Sequence, residues 1–152
     1  MKIVVVSDSH GDTAILEKVA LIHQDASIFY HLGDSELPPY VLYGYGYASV
    51  KGNCDYEPYV LNRDVTLEGF KIHMEHGHGF NFQSDPNKYV ENLGVDIFLF
   101  GHTHRKLATY VGNTLVFNPG SLTRPRDGEK GSYLVLDLKK GEKVKYKFYE
   151  VD

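Results

Sequence analysis

Five short apolar runs in this chain each stop at a group of residues that can bind metal ions or phosphate. In chain order, these groups are Ser7-Asp8-Ser9-His10, Gly33-Asp34, Lys51-Gly52-Asn53-Cys54-Asp55, His76-Gly77-His78 and Gly101-His102-Thr103-His104. Short apolar runs bounded by such residues are typical of buried strands. Because ligands of α/β sheets bind at the carboxyl ends of the strands, we expect all five groups to meet at one edge of the fold.

The N-terminal pattern predicts a βαβ unit. Residues 2–6 and 27–32 are apolar runs, and residues 13–23 between them have apolar side chains at helical spacing. Asp12 or Thr13 can cap this helix. A strand, a helix and a strand in about 30 residues predict a parallel pair joined by a right-handed crossover.

The rest of the chain is rich in predicted strands. We expect them over 60–67, 70–76, 96–100, 106–111, 114–118, 132–138 and 143–151, with hairpin turns at Glu68-Gly69, Gly112-Asn113 and Lys140-Gly141. A short helix is expected to start near Ser84-Asp85-Pro86 and to end at Gly94. About ten strands in 152 residues favour an α/β fold with two packed sheets and outer helices, in a single domain over residues 1–152.

Composition narrows the partners and the compartment. The chain has 16 basic and 20 acidic residues and a formal charge of −4, so we expect no nucleic-acid partner. No apolar run approaches the ~18 residues of a membrane span and no signal-peptide pattern is present, so no membrane association is expected. Cys54 is the single cysteine, which excludes an intrachain disulfide and fits a cytoplasmic location.

The residues at the predicted edge form a set of nitrogen and oxygen donors. Seven of them are candidate metal ligands: Asp8, His10, Asp34, Asn53, His76, His102 and His104. Such a set suits Mn, Fe, Co, Ni or Zn better than Ca or Cu(I). Seven ligands are too many for one tetrahedral site, so we expect two metals that share one ligand. An aspartate can be shared because its two oxygens can face two cations.

The ordered motifs D-x-H, G-D, G-N-x-D, H-G-H and G-H-x-H, over residues 8–104, resemble those of the calcineurin-like metallophosphoesterase superfamily. The short chain, the G-N-C-D variant and Asn118-Pro119-Gly120-Ser121 are similar to its small bacterial and archaeal phosphodiesterase branch, which is related to Vps29. This resemblance implies a four-layer α-β-β-α sandwich with two mixed β-sheets.

The resemblance also implies a ligand assignment and a reaction. One metal is expected at Asp8, His10 and His104, the other at Asn53, His76 and His102, with Asp34 as the bridge. The implied cofactors are two divalent transition-metal ions, with Mn first and Ni, Co, Fe or Zn as alternatives. The implied reaction is hydrolysis of a small phosphate ester, a diester rather than a monoester, by a metal-bridging hydroxide. The rival is a Vps29-like interaction scaffold with a vestigial or structural metal site. Every ligand position is filled, which favours the enzyme.

Three residues are candidates for catalysis itself: Asn53, Cys54 and His78. Many relatives have a histidine after the G-N pair that can protonate the leaving oxygen, and Cys54 occupies that position. His78 either faces the substrate or is a satisfied loop histidine. Arg124 and Arg126 either hold a phosphate or diester tail or are solvated surface.

We expect structural roles for three tyrosines and three histidines outside these motifs. Tyr43, Tyr45 and Tyr47 alternate with glycines and at period two would line one face. Packing or a subunit contact is favoured over a stacking surface for a base, so a homo-oligomer is one alternative. A supporting, structural role is expected for three further histidines: His23, His31 and His73.

Overall fold

The structure, a computed structural model, describes residues 1–80 and 86–151 of the chain. Within these ranges it has ten strands and three helices. The strands are β1 (Lys2–Val6), β2 (Ile28–His31), β3 (Tyr47–Ser49), β4 (Asn62–Leu67), β5 (Phe70–Glu75), β6 (Ile97–Leu99), β7 (Lys106–Val111), β8 (Thr114–Pro119), β9 (Ser132–Asp137) and β10 (Lys145–Glu150). The helices are α1 (Thr13–Ile22), α2 (Pro39–Gly44) and α3 (Pro86–Leu93).

The strands form two five-stranded sheets, and both sheets are mixed. The first has the order β10-β9-β1-β2-β3, in which β1, β2 and β3 are parallel and β9 is antiparallel to both of its neighbours. The second has the order β4-β5-β6-β8-β7, in which the three central strands are parallel and the two edge strands are antiparallel. The predicted βαβ unit is present as β1, α1 and β2.

The buried apolar side chains form three hydrophobic cores. Successive side chains of β1 point to opposite faces of the sheet and so belong to two different cores. Ile3 and Val5 point into the central core between the sheets, where they join side chains of β5 and β6. Val4 and Val6 point outward and pack against Leu16 and other side chains of α1 and α2. On the far side of the second sheet, side chains of α3 pack on β6 and β8. The four-layer α-β-β-α sandwich is therefore confirmed.

Helix α1 begins where the sequence predicts. Asp12 is the residue that caps it, since its Oδ1 oxygen accepts a hydrogen bond from the amide of Ile15 at 3.1 Å. Helix α3 ends at Leu93, before Gly94. Part of its expected start, residues 84–85, lies outside the described residues. In the described part of the chain, no helix has the length and apolar character needed to cross a membrane.

The interpretation of the tyrosines as one stripe is wrong. The chain is helical through Gly44, so the period of two does not apply there. Tyr43 lies on α2 with 83% of its surface exposed, whereas Tyr47 lies on β3 and is 2% exposed. The Tyr47 hydroxyl donates to the Leu16 carbonyl at 2.9 Å, which gives it a packing role. Tyr45 is half-buried at the C-terminal end of α2.

Candidate metal centre

The candidate ligands lie on loops that follow five strands, β1, β2 and β3 of one sheet and β5 and β6 of the other. Hydrogen bonds tie these loops to one another. The amide of Asp8 donates to the Gly33 carbonyl at 3.0 Å, and the amide of His102 donates to Oδ2 of Asp8 at 3.1 Å. The amide of Gly101 donates to the His76 carbonyl at 2.9 Å. The two sheets therefore bring their polar loops to one end of the sandwich.

Asp8 lies at the centre of the cluster. Its Oδ1 oxygen is 3.2 Å from Nε2 of His104, 3.8 Å from Nε2 of His76 and 3.9 Å from Nε2 of His10. Oδ2 of Asp34 lies 3.2 Å from the same His76 nitrogen. These atoms form two overlapping groups of donors within 4.8 Å of one another, one with Asp8, His10 and His104 and one with Asp8, Asp34 and His76.

Each of the two aspartates presents one oxygen to the cluster. Oδ2 of Asp8 accepts hydrogen bonds from the Ser7 hydroxyl at 2.6 Å and from the amide of His102, which leaves Oδ1. Oδ1 of Asp34 accepts from the amide of Cys54 at 2.8 Å, which leaves Oδ2. Both aspartates therefore turn one oxygen toward the histidines, Oδ1 of Asp8 toward His104 and Oδ2 of Asp34 toward His76.

Asn53 and His102 lie on the more open side of the cluster. Nδ1 of His102 is 3.2 Å from Oδ1 of Asn53, and the His102 ring centroid is 5.1 Å from that of His76. The three residues expected to form the second metal position are therefore neighbours. The side-chain Nδ2 of Asn53 also donates to Sγ of Cys54 at 3.7 Å.

Three of the histidines are oriented by partners outside the cluster. Nδ1 of His76 donates to the Leu32 carbonyl at 2.7 Å, and Nδ1 of His104 donates to the Arg124 carbonyl at 2.6 Å. Nδ1 of His10 is 2.9 Å from Oε1 of Glu36. Because carbonyl and carboxylate oxygens are acceptors, Nδ1 carries the proton in the neutral form of each ring, and Nε2 of that form turns an unshared electron pair toward the cluster. Metal-ligating histidines have this outer support.

Three buried atoms in the cluster have no hydrogen-bond partner among the residues that the structure describes, namely Oδ1 of Asp8, Nε2 of His10 and Nε2 of His76. A buried polar atom without a partner costs about 1–3 kcal/mol. These three atoms have unshared electron pairs and converge from different loops. A bound cation would supply the partner that each of them needs. The residues present therefore fit a metal centre.

Neighbouring histidines keep the carboxylates of the cluster ionised. Burial raises the pKa of Asp8, but the close approach of the His104 and His76 rings outweighs it, so the pKa lies below its usual value. Burial likewise raises the pKa of Asp34, and the close approach of the His76 ring outweighs this, so its pKa is also lowered. Ionised carboxylates are the form that binds cations.

The backbone at the site is strained. Six residues of the ligand loops adopt positive φ angles: Asp8 (54°), His10 (46°), Asp34 (59°), Glu36 (55°), His102 (70°) and His104 (59°). Among the described residues, one other non-glycine residue, Glu68 in a hairpin turn, has a positive φ. Strain of this kind clusters at functional sites because it aims side chains where regular structure would not.

Two glycines allow the loops to approach closely. A Cβ atom on Gly52 would collide with the carboxylate and the backbone nitrogen of Asp34, and one on Gly101 would collide with the Ser7 hydroxyl. Because glycine has no Cβ atom, it permits this close approach at both positions.

Sequence reasoning assigned no role to Asp55 or to Glu36. Oδ2 of Asp55 accepts from the amides of Asp34 at 2.9 Å and Gly52 at 2.7 Å, and its Oδ1 accepts from the amide of Glu36 at 2.9 Å. The G-N-x-D spacing is the signal that marks Asp55. No local pattern marks Glu36.

The Asn118-Pro119-Gly120-Ser121 segment supports the site from behind. Nδ2 of Asn118 donates to the Gly101 carbonyl at 2.9 Å, and the Ser121 hydroxyl donates to the Asp8 carbonyl at 2.7 Å. His31 is also buried beside the site. The Gly33 amide donates to its Nδ1 at 3.1 Å, its Nε2 is 2.9 Å from the Ser9 hydroxyl, and burial lowers its pKa to about 4. His31 is therefore held in its neutral form.

Two proposed proton donors, His78 and Cys54, occupy different positions. His78 is exposed at the rim, with its ring centroid 5.5 Å from that of His76 and 6.3 Å from that of His102. Cys54 is half-buried, and burial together with the negative charge of Asp34 raises the pKa of its thiol. The thiol therefore stays protonated at neutral pH.

A cleft of about 490 Å³ opens onto the cluster. It is lined by metal-ligand candidates and by one further loop: His10, Asp34, Asn53, Cys54, His102, His104, Arg124, Pro125 and Arg126. This volume lies within the usual range of small-molecule sites, roughly 300–1,000 Å³.

Known proteins share this sequence pattern and this fold. Residues 1–141 match the calcineurin-like phosphoesterase superfamily domain. The chain is 34% identical over 155 residues to the probable metallophosphoesterase YsnB of Bacillus subtilis, which covers 99% of this chain and 91% of YsnB. It is 35% identical over 98 residues to the phosphodiesterase YfcE of Escherichia coli K12, covering 59% of this chain and 51% of YfcE.

The fold is also that of Vps29. The structure of Entamoeba histolytica Vps29 in complex with Zn²⁺ matches with a TM-score of 0.78 and 22% identity, over 99% of each chain. At this identity the likeness concerns the fold. The family match, by contrast, covers most of the sequence, and the YsnB match covers nearly all of both proteins. The chain belongs to the calcineurin-like phosphoesterase superfamily.

Proposed function

We propose that the chain is a phosphodiesterase that hydrolyses small phosphate diesters with two divalent transition-metal ions, Mn first among them. The observation that carries this proposal is the convergence of three buried, unpartnered atoms, Oδ1 of Asp8 and Nε2 of His10 and His76, beside an open cleft. The similarity to YfcE, which is a phosphodiesterase, supports the choice of a diester.

The ligand assignment follows the motif order and the neighbourhoods in the structure. Asp8, His10 and His104 would hold one ion, Asn53, His76 and His102 would hold the other, and Asp34 would be the ligand that both ions share. When bound, such ions act as Lewis acids that activate water and stabilise charge on the phosphate oxygens.

The chain's own residues supply orientation and charge balance. Asp8 and Asp34 bring two negative charges to two divalent ions, which leaves about two positive charges for an anionic substrate. Glu36 and two backbone carbonyls hold the histidine rings in the required tautomer. The protonated thiol of Cys54 lines the cleft, and the exposed His78 lies beside the rings of His76 and His102, so these two side chains are the candidates for donating a proton to the leaving oxygen.

A Vps29-like interaction scaffold is the rival function. The shared fold is compatible with it, but a scaffold has no need of a complete ligand set, and all seven positions are filled here. For the enzyme we propose a cytoplasmic location, because its single cysteine fits a reducing compartment.

The test is a panel of phosphomonoesters and phosphodiesters, each assayed with Mn²⁺, Co²⁺, Ni²⁺, Zn²⁺ and Mg²⁺. We expect the fastest turnover for an aryl diester such as bis(p-nitrophenyl) phosphate with Mn²⁺. His104→Ala should abolish it, whereas His23→Gln, a change of a histidine far from the cleft, should not. Failure to hydrolyse any ester while metal still binds would support the scaffold.

A further inference from the structure

Two arginines of the cleft wall have no acidic partner within residues 1–80 and 86–151. Arg124 and Arg126 line the cleft with the ligand candidates, and both residues are exposed. Neither guanidinium forms an ion pair or hydrogen bond with any residue that the structure describes. Lys2, by comparison, pairs with Asp25 at 2.7 Å. The unpaired arginines stand out in a chain whose formal charge is −4.

The loop that carries these arginines is fixed to a metal-ligand candidate. The Arg124 carbonyl accepts from Nδ1 of His104 at 2.6 Å, and the Arg126 amide donates to the His104 carbonyl at 2.9 Å. The Arg124 amide donates to the Ser121 hydroxyl at 2.9 Å. With Pro125 between them, the two arginines have a defined position relative to the centre.

Nearby acidic residues are already committed elsewhere. Asp127 accepts from the amide of Lys106 at 2.6 Å and lies 3.5 Å from its Nζ. Oε1 of Glu36 lies 2.9 Å from Nδ1 of His10. The two guanidinium charges are therefore left to act on whatever enters the cleft, and a cleft focuses such a field.

We propose that Arg124 and Arg126 bind a second anionic group, a phosphate monoester, on the part of a small diester substrate that does not react. The assignment rests on the proposed diesterase function. The reacting diester carries one negative charge, which the ions balance without the arginines, so the two guanidinium charges are available for a further dianion. Guanidinium forks bind phosphate with paired hydrogen bonds, and the cleft of about 490 Å³ has room for more than one phosphate.

The test compares two substrates that differ by one phosphate. Thymidine 5′-(p-nitrophenyl phosphate) and its 3′-phosphorylated form have the same reacting phosphorus and the same leaving group. With the Mn²⁺-loaded chain, we expect the 3′-phosphate to lower KM by about tenfold or more and to leave kcat nearly unchanged, because charged hydrogen bonds have this magnitude. The double variant Arg124→Ala/Arg126→Ala should lose the difference in KM, and Arg124→Lys/Arg126→Lys should recover part of it.

Arg105→Ala is the matched control, because Arg105 is exposed and follows His104 but does not line the cleft. It should keep the full preference. Equal KM values for the two substrates in the wild-type chain, or a preference that survives in the double alanine variant, would overturn the assignment.

A binding measurement separates this proposal from the proposed function. Thymidine 3′,5′-bisphosphate and thymidine 5′-phosphate are titrated into the Mn²⁺-loaded chain by calorimetry. Tighter binding of the bisphosphate in the wild-type chain, but not in the double alanine variant, supports the arginine assignment even if neither ester is hydrolysed. Equal binding of both nucleotides would overturn it even if both esters are hydrolysed.

Discussion

The backbone amide of Cys54 donates a hydrogen bond to Oδ1 of Asp34 at 2.8 Å. This contact joins the loop after β3 to the loop after β2 and fixes the rotation of the Asp34 carboxylate. Oδ2, 3.2 Å from Nε2 of His76, is the oxygen left for a cation. The loop that carries Asn53 and Cys54 therefore orients Asp34, the residue proposed as the bridge.

Replacing Asp34 tests its proposed bridging role. Asp34→Asn keeps an oxygen for the Cys54 amide but removes the negative charge, so metal content should fall at both positions. Loss of a residue that hydrogen-bonds to a metal ligand costs about 10–100-fold in metal affinity or activity. Loss of the ligand Asp34 itself should therefore lower activity by more than about 100-fold. Elemental analysis and diester turnover measure the two effects. Asp25→Asn, at an exposed aspartate, is the control, and two metals per chain with a near-normal rate in Asp34→Asn would refute the bridge.

Replacing Glu36 tests whether a residue that does not bind the metal supports the candidate ligand His10. Its carboxylate lies 2.9 Å from Nδ1 of His10. Glu36→Ala should weaken Mn²⁺ binding by about 10–100-fold, because the His10 ring loses the partner that fixes its tautomer. Calorimetric titration of the metal-free chain measures the affinity. Glu17→Ala, at an exposed position of α1, should leave it unchanged, and equal affinities in both variants would contradict the role of Glu36.

Gly52 and Gly44 form a matched pair for testing close approach. A Cβ on Gly52 would collide with Asp34, whereas a Cβ on Gly44 would meet nothing within 4 Å. Gly52→Ala should lower the free energy of unfolding of the metal-free chain by about 1–3 kcal/mol or more, the usual cost of overpacking. Gly44→Ala should change it little or raise it by about 0.4–1 kcal/mol. Urea denaturation measures both, and a neutral Gly52→Ala would show that the loops can separate without cost.

Leaving-group dependence identifies the proton donor. A thiol is a weak hydrogen-bond donor, and a well-placed acid contributes ~10²–10⁴-fold, so alkyl esters should react much more slowly than aryl esters. The measurement is log rate against leaving-group pKa for wild type, Cys54→His and His78→Ala. A steep wild-type slope that flattens in Cys54→His supports a missing acid. A shallow slope that steepens in His78→Ala identifies His78 as the acid. A shallow slope that neither change affects would exclude both.

Acid should destabilise the chain through His31. Burial lowers the pKa of His31 from 6.5 to about 4, so the folded chain keeps the ring neutral while the unfolded chain protonates it. The stabilisation is complete above pH 6.5 and is lost as the pH falls toward 4.

The matched variant for this effect is His31→Gln, which does not titrate. The difference between the free energies of unfolding of the metal-free wild-type chain and His31→Gln should shrink by about 2 kcal/mol from pH 7.5 to pH 5. Urea denaturation at each pH measures it. A difference that does not depend on pH would show that His31 titrates normally.

The amino-acid sequence alone predicted the sheets and the candidate ligands because both are local patterns. Apolar runs bounded by turns mark β1, β2, β5 and β6, and the ligand candidates follow them directly. The alternation of Ile3 and Val5 with Val4 and Val6 separates an inner from an outer face. Helix α2 was missed because six residues carry little periodic signal, and alternating tyrosines and glycines indicated a strand instead.

Only the tertiary structure decided how the ligands are held. The partners of the three anchored histidines are the side chain of Glu36 and the carbonyls of Leu32 and Arg124, and their separation from those histidines along the chain ranges from 20 to 44 residues. Which oxygen of Asp34 faces the cluster depends on an amide that lies 20 residues away. Such contacts arise when the two sheets pack and bring their loops together. A motif lists the donors, but the packing sets their directions and leaves the guanidinium groups of Arg124 and Arg126 at the cleft without an ion pair in the part of the chain that the structure describes.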